Sequence, residues 1–274
     1  MVLQINPTKQ EPIVTWEKLP SDFILPDDPV ENIQQPPLAA ALTDALGSND
    51  RIQPEMLIAS NFAIAATVNQ KTVVKAPDWM YVPRILLLPE GVIRRSYTPS
   101  VEGDRIAIAM EFLSETDAGE YSVRAKYPYG KLYCYEQIWQ IPTYVIFDPY
   151  EPDLEVRCLQ ENQYVLQSPT AEGRYWIPEI NLFLGIWYGT RLGATMHWLR
   201  WWDAAGNLLL WSSEQSELER QRAEQERQRA EQERQRAEQE RQRAESAIGQ
   251  LESERRRSEA LAAKLRELGI DPNA

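Results

Sequence analysis

The chain has 274 residues and a formal net charge of −12, from 29 lysines and arginines against 41 aspartates and glutamates. Residues 1–212, enough for one ordinary domain with a real core, hold 16 of the basic and 26 of the acidic residues, a balance of −10. Such a surface repels polyanions, which excludes a plain nucleic-acid-coating module; chemistry on nucleic acid needs a local basic group, a metal ion or a partner.

No stretch reaches the roughly 18 apolar residues of a membrane helix, and no basic-then-apolar leader opens the chain, so the expectation is a soluble, cytoplasmic protein with no membrane partner. Cys134 and Cys158 lie in apolar stretches without metal-ligand spacing and read as reduced core residues.

In chain order, residues 1–37 are rich in proline and acid and read as a largely irregular arm. The run Pro36 to Leu46 predicts a helix, with prolines at its start, small and apolar residues inside and Gly47 to stop it. Strand-like runs follow at Met56 to Val68, Lys71 to Val82 and Arg105 to Leu113. Lys131 to Trp139 places Leu132, Tyr135, Ile138 and Trp139 at helical spacing. Further strands are expected at Thr143 to Asp148, Leu154 to Leu159 and Tyr164 to Gln167.

A strand pair turning at Ala204 to Asn207 closes this part, with Trp198, Trp201, Trp202 and Trp211 around it. Such rings can stack bases, but aromatics in a hairpin more often pack a sheet. The order of elements predicts an α/β (α+β) core with one mixed central sheet flanked by helices over 38–212.

From Glu219 to Ser246 the chain repeats Glu-Arg-Gln-Arg-Ala-Glu-Gln in about four near-identical heptads, with alanine at positions 223, 230, 237 and 244. Every residue in the unit favours helix, and the charges alternate as on a solvated helix. One alanine per seven residues is poor material for a coiled-coil seam. Residues 213–274 are therefore expected as a long charged spacer helix, on the order of 40 Å across its heptads. A weak seam at Ala244, Ile248, Leu251, Ala262 and Leu265 leaves room for a coiled coil, and homo-oligomers through this helix or the globular part stay open.

One constellation can carry chemistry. In Arg105 to Ser114, Ile106, Ile108, Met110 and Phe112 alternate to one face, while Ala107, Ala109 and Glu111 take the other. A carboxylate ending an apolar strand is costly unless paired or bound to a cation. Asp78, after Pro77 in the preceding run, repeats the oddity. Two acids on neighbouring strands suit Mg²⁺, which takes one or two protein carboxylates and keeps several waters. Lys131, opening the next helix, can reach a phosphate or an attacking water.

Pro77-Asp78, Glu111-Phe-Leu-Ser-Glu115, a lysine before Tyr135 and the segment Ile141 to Pro149 together resemble the restriction-endonuclease-like family of bacterial hypothetical proteins in the PD-(D/E)xK nuclease superfamily. The resemblance covers roughly residues 20 to 212, and the arginine- and glutamine-rich tail ending in Leu-Gly-Ile-Asp-Pro is also like that of many members. It implies a restriction-endonuclease-like core, nucleic acid as substrate with DNA ahead of RNA, and Asp78 and Glu111 as ligands of Mg²⁺, with Mn²⁺ as a substitute. Lys131 completes the implied catalytic set for phosphodiester hydrolysis by a metal-activated water.

The chain departs from the pattern at Leu113, where the superfamily's short motif has its lysine. Lys131 fits the displaced position best, and Lys126 stands second. Glu120, and with weaker support Glu55, can join the site as an extra acid, but such residues are more often surface acids. Glu111 is a residue that Arg95 or Arg124 can also pair. His197, the single histidine, reads as structural, which excludes two-histidine metal sites. A non-enzymatic alternative is an inactive nuclease-like adaptor that recruits proteins through its acidic surface and helical tail.

Overall fold

The computed structural model describes residues 13–18, 20, 33–113 and 119–267. Readings made for 1–12, 21–32, Ser114, Glu115 and Leu268 to Pro272 lie outside the described residues. Two compact units divide at Ser212/Ser213.

The first unit is α+β. Its centre is a six-stranded mixed sheet in the order β2 (Leu57–Ala59), β5 (Trp79–Val82), β6 (Ile108–Phe112), β7 (Thr143–Asp148), β8 (Asp153–Gln160), β9 (Gln163–Leu166). Neighbours pair antiparallel except β6 and β7, which run parallel with Glu111 beside Ile146. A parallel pair needs a long crossover, and residues 113–142 supply it. That crossover contains a 3₁₀ turn, Gly119–Tyr121, then α2 (Lys131–Tyr133), which continues as a π turn over Cys134–Ile138. The helix expected over Lys131 to Trp139 is thus one α turn widened into a π turn, and Leu132, Tyr135, Ile138 and Trp139 are all buried as expected.

Two smaller sheets accompany the central one, where the sequence suggested a single sheet. The first joins β1 (Val14–Thr15), β3 (Ile64–Val68) and β4 (Lys71–Lys75). Each long strand-like run is broken within itself. Asn61 takes a positive φ of 47° between β2 and β3, and Pro77, which cannot donate to a ladder, separates β4 from β5. β1 also draws part of the expected irregular arm into pairing with Thr67 and Val68.

The second small sheet joins β10 (Arg174–Ile177), β11 (Leu182–Arg191) and β12 (Ala194–Trp202). Its tight hairpin turns at Leu192 and Gly193, both at positive φ, ahead of the turn expected at Ala204 to Asn207. That later turn exists but folds Leu208 back onto Trp202 by a single bridge.

The two faces of the central sheet carry two cores. On one, Trp79, Tyr81, Ile108, Met110 and Phe112 pack with α1 (Gln35–Ser48) and with β10–β12. On the other, Met80, Val82, Ala109 and Ile146 pack with Tyr135, Ile138, Trp139 and the small sheet containing β3. The alternation expected for the third strand holds within β6. It fails just before it, since Ala107 joins the α1 face and Ile106 the opposite one, where the chain is not yet in regular pairing.

α1 begins with prolines in its first turn, as expected, and runs through Gly47 to Ser48. The Asn49 side chain then donates to the carbonyls of Ala45 (2.7 Å) and Leu210 (2.8 Å), closing the helix end.

The tryptophan group packs this core. Trp198, Trp201, Trp202 and Trp211 are buried and not presented to bases. The indole N–H of Trp201 donates to Leu42 O at 3.3 Å and that of Trp211 to Ala41 O at 3.0 Å, fixing α1 to the third sheet. Arg200, fully buried, lays its guanidinium 3.4 Å from the Trp211 ring centroid. Both cysteines are free thiols.

The second unit is α3 (Ser212–Glu267), a helix of 56 residues. Its side chains are exposed along the heptads and tied by i,i+4 contacts such as Gln228 to Glu224 at 3.1 Å. Ile248 and Leu251 of the expected seam stand 57% and 67% exposed, and the Leu265 side chain lies outside the described residues. No helix among the described residues is long and apolar enough to cross a membrane.

Because Trp211 fills the junction of α1 and the third sheet and covers Arg200, Trp211→Ala is expected to cost roughly 3–5 kcal/mol of unfolding free energy. Urea denaturation followed by far-ultraviolet circular dichroism measures it. A loss under about 1 kcal/mol would show that this junction does not hold the fold.

Candidate active site

Asp78 immediately precedes β5. Trp79 faces Met110 in antiparallel register, so the ladder carried back one residue sets Asp78 across from Glu111. Both side chains fall on the face of Met80 and Ala109, the face covered by the crossover. Asp78 Oδ2 accepts a hydrogen bond from the Phe112 backbone N–H at 2.6 Å. The Phe112 carbonyl in turn accepts from Gln35 Nε2 of α1 at 2.6 Å. One residue at the end of β6, Phe112, thus holds the site acid and the helix behind the sheet.

Glu111 has no solvent exposure. Its Oε1 accepts from the Tyr135 hydroxyl at 2.6 Å and its Oε2 from Lys131 Nζ at 3.2 Å. Lys131 Nζ also donates to Glu120 Oε1 at 3.2 Å. Glu120 rides on the 3₁₀ turn of the crossover, and its backbone carbonyl accepts from the Tyr144 hydroxyl of β7 at 3.0 Å. The turn, the π-turn helix and two neighbouring strand ends therefore converge on one acidic cluster.

Asp78, Glu111 and Lys131 come together here. Lys131 supplies the ammonium that Leu113 cannot, while Leu113 packs at the edge of the core on that face. Lys126 is exposed outside the cluster. Glu55 lies near Tyr81, and His197 packs its ring 4.9 Å from that of Tyr188. The partners of Glu111 are Lys131 and Tyr135, where Arg95 or Arg124 was open as its pair.

Two members were missed by sequence reasoning. Glu120, read as a surface acid, is 5% exposed with one oxygen on Lys131. Tyr135, read as packing, carries a buried hydroxyl on Glu111. The spacing Lys131 to Tyr135 is one turn of a helix, which was the available signal for Tyr135. Glu120 sits in a stretch with no periodicity, and nothing local marked it.

The electrostatics follow from crowding carboxylates in a buried place. Burial pushes the Asp78 carboxyl up from 3.8 to about 8, with the Glu111 charge adding to it and the Phe112 N–H and Lys131 opposing. Burial likewise raises Glu111, against the pull of Lys131 and Tyr135. For Lys131 burial alone favours the neutral amine, but Glu111, Glu120 and Asp78 outweigh it and keep the ammonium charged. Burial and the Glu111 carboxylate hold the Tyr135 hydroxyl well above its usual range, so it stays a donor.

Among the described residues no group of three or more His, Cys, Asp or Glu side chains is placed to hold a metal ion. The two acids set across from each other, Asp78 and Glu111, offer only carboxylate oxygen, the donor type preferred by hard cations. Glu120 Oε2 is buried and accepts no hydrogen bond. These features fit an open site holding a divalent cation with only one or two protein ligands.

Among curated proteins none matches the chain. The model of the Uma2 family, described as “Putative restriction endonuclease”, matches residues 26–193, more than half of the chain. The matched segment contains Asp78, Glu111, Glu120 and Lys131 and ends before α3. On this match and this architecture, the chain belongs to the Uma2 family of restriction-endonuclease-like proteins.

Proposed function

We propose that the chain is a Mg²⁺-dependent endonuclease hydrolysing phosphodiester bonds in nucleic acid, DNA ahead of RNA, with Mn²⁺ able to substitute. The observation that carries this reading is the meeting of Asp78, Glu111 and Lys131, from three separate segments, in one buried cluster with Nζ 3.2 Å from Glu111 Oε2. Family membership supports the nuclease class, and the all-oxygen donor set supports a hard cation.

Asp78 and Glu111 would hold the cation, with Glu120 beside them. A divalent cation bound there supplies an activated water and draws charge from a phosphate oxygen. The protein's own groups do the placing. The Phe112 N–H fixes one oxygen of Asp78, and Tyr135 fixes one oxygen of Glu111, so each acid turns a single oxygen to the site. The Lys131 side chain is 26% exposed while that of Glu111 is fully buried, which leaves the ammonium at the mouth. From there it can donate to a non-bridging phosphate oxygen and steady the charge that develops during hydrolysis.

Glu111→Gln is expected to remove Mg²⁺-dependent cleavage of supercoiled plasmid, a loss of at least about 10³-fold given that a metal-activated nucleophile would be lost. Gel assays with Mg²⁺, Mn²⁺ or chelator, run in parallel on single-stranded RNA, measure it. Cleavage unchanged in the variant would sink the assignment.

Asp78 makes a second expectation. The folded protein holds its proton up to about pH 8, against 3.8 for an ordinary aspartate. The stability linked to that proton is full below about pH 4 and is lost as pH rises through about 8. Asp78→Asn, which cannot ionise, is therefore expected to melt above the wild type at pH 8.5 in chelator, with the gap closing towards pH 4. Calorimetric Tm values across that range test it, and a gap of constant size would refute the buried-acid account.

A further inference from the structure

Each acid of the cluster is held by donors of the protein. Phe112 N–H takes Asp78 Oδ2 at 2.6 Å, and the Tyr135 hydroxyl takes Glu111 Oε1 at 2.6 Å. The remaining oxygen of Glu111, Oε2, is the one bonded to Lys131 Nζ. The same ammonium holds Glu120 Oε1 at 3.2 Å, and the other Glu120 oxygen is buried and unpartnered. Among the described residues, Lys131 is the cation that pairs with these carboxylates.

We propose that Lys131 is the counter-ion of Glu111 when no metal is bound and that a divalent cation binds by displacing its ammonium from Glu111 Oε2. This rests on the metal-dependent reading above and adds a regulation to it. A hard cation sits about 2.0–2.1 Å from carboxylate oxygen when it is Mg²⁺. Two cations on one oxygen in a poorly screened place repel each other strongly. Glu111 Oε1 is tied to Tyr135, so Oε2 is the oxygen shared with the cluster, and a cation that takes it meets the Lys131 ammonium.

Glu120 gives the displaced ammonium somewhere to stay. Its Oε1 keeps Nζ tethered on the 3₁₀ turn side while Glu111 changes partner. The lysine is thereby freed from one acid only when the metal is in place, and its freed donor turns to substrate phosphate. Without metal, the same ammonium neutralises the buried Glu111 carboxylate that would otherwise destabilise the fold. The site is thus self-neutralised at rest and armed by metal.

The test is calorimetric titration of Mg²⁺ and Mn²⁺ into the full-length wild type, Lys131→Met and Lys131→Gln at pH 8.5, with Asp78→Asn as control. Glutamine can still hydrogen-bond Glu111 and Glu120, so it guards against a methionine variant that fails to fold. If Lys131 competes with the metal, both variants bind roughly tenfold more tightly than the wild type, since one opposing charge is gone. Their Tm without metal falls below the wild type, and saturating Mn²⁺ closes the gap.

Wild-type binding with no gain in either folded variant overturns the displacement while leaving the metal site standing. Absence of binding in the wild type and both variants overturns the metal reading along with it. Binding by the variants alone supports displacement in its strongest form.

Discussion

The buried carboxylate of Glu111 is the constraint on which the rest of the site depends. A charge with no solvent exposure at the end of a central strand is tolerated only with hydrogen-bond donors and an opposite charge beside it. The strands do not provide them, because the neighbours of Glu111 on that face include the apolar Met80, Ala109 and Ile146. The partners come from the crossover between β6 and β7. The parallel pairing demands a long connection, and that connection lays Glu120, Lys131 and Tyr135 over the strand end. Topology and electrostatics are solved by the same thirty-residue excursion.

The site is also joined to the opposite core. Phe112 gives its N–H to Asp78 and takes the amide of Gln35 on its carbonyl, while its ring packs with α1 and edge-on to Phe147 at 6.4 Å between centroids. α1 is held in turn by indoles from β12 and from the residue preceding α3. A fault in the tryptophan junction would therefore reach Asp78 through α1 and a single residue, Phe112. Positioning of the first acid is a property of both cores, not of the local turn.

Legibility in the sequence followed locality. The prolines and small residues of Pro36 to Leu46, the period-two face Ile108-Met110-Phe112 and the apolar spacing from Leu132 to Trp139 each encode their element within a few residues, and each was read. The pairing of Asp78 with Glu111 was also readable, because both acids interrupt apolar runs. Glu120 was not, since its burial depends on Lys131 and Tyr144 folding over it from elsewhere. The division into three sheets was hidden for a similar reason. Asn61 and Pro77 punctuate runs whose composition is strand throughout, and only tertiary pairing shows which half joins which sheet. β10 and β11 were missed because their aromatic and glycine-containing sequences alternate poorly.

The acidity of the first unit acquires a meaning at this point. A balance of −10 makes long-range attraction of a polyanion unfavourable, so affinity cannot come from a basic surface and has to be generated locally. Three acids around one ammonium leave the cluster with an excess of acid, which on the proposed reading a divalent cation would offset. The Lys131 ammonium, released from Glu111, would then add its charge towards a substrate phosphate. On the proposed reading such a site would disfavour phosphate without metal and attract it with metal, coupling substrate binding to cofactor binding through Lys131.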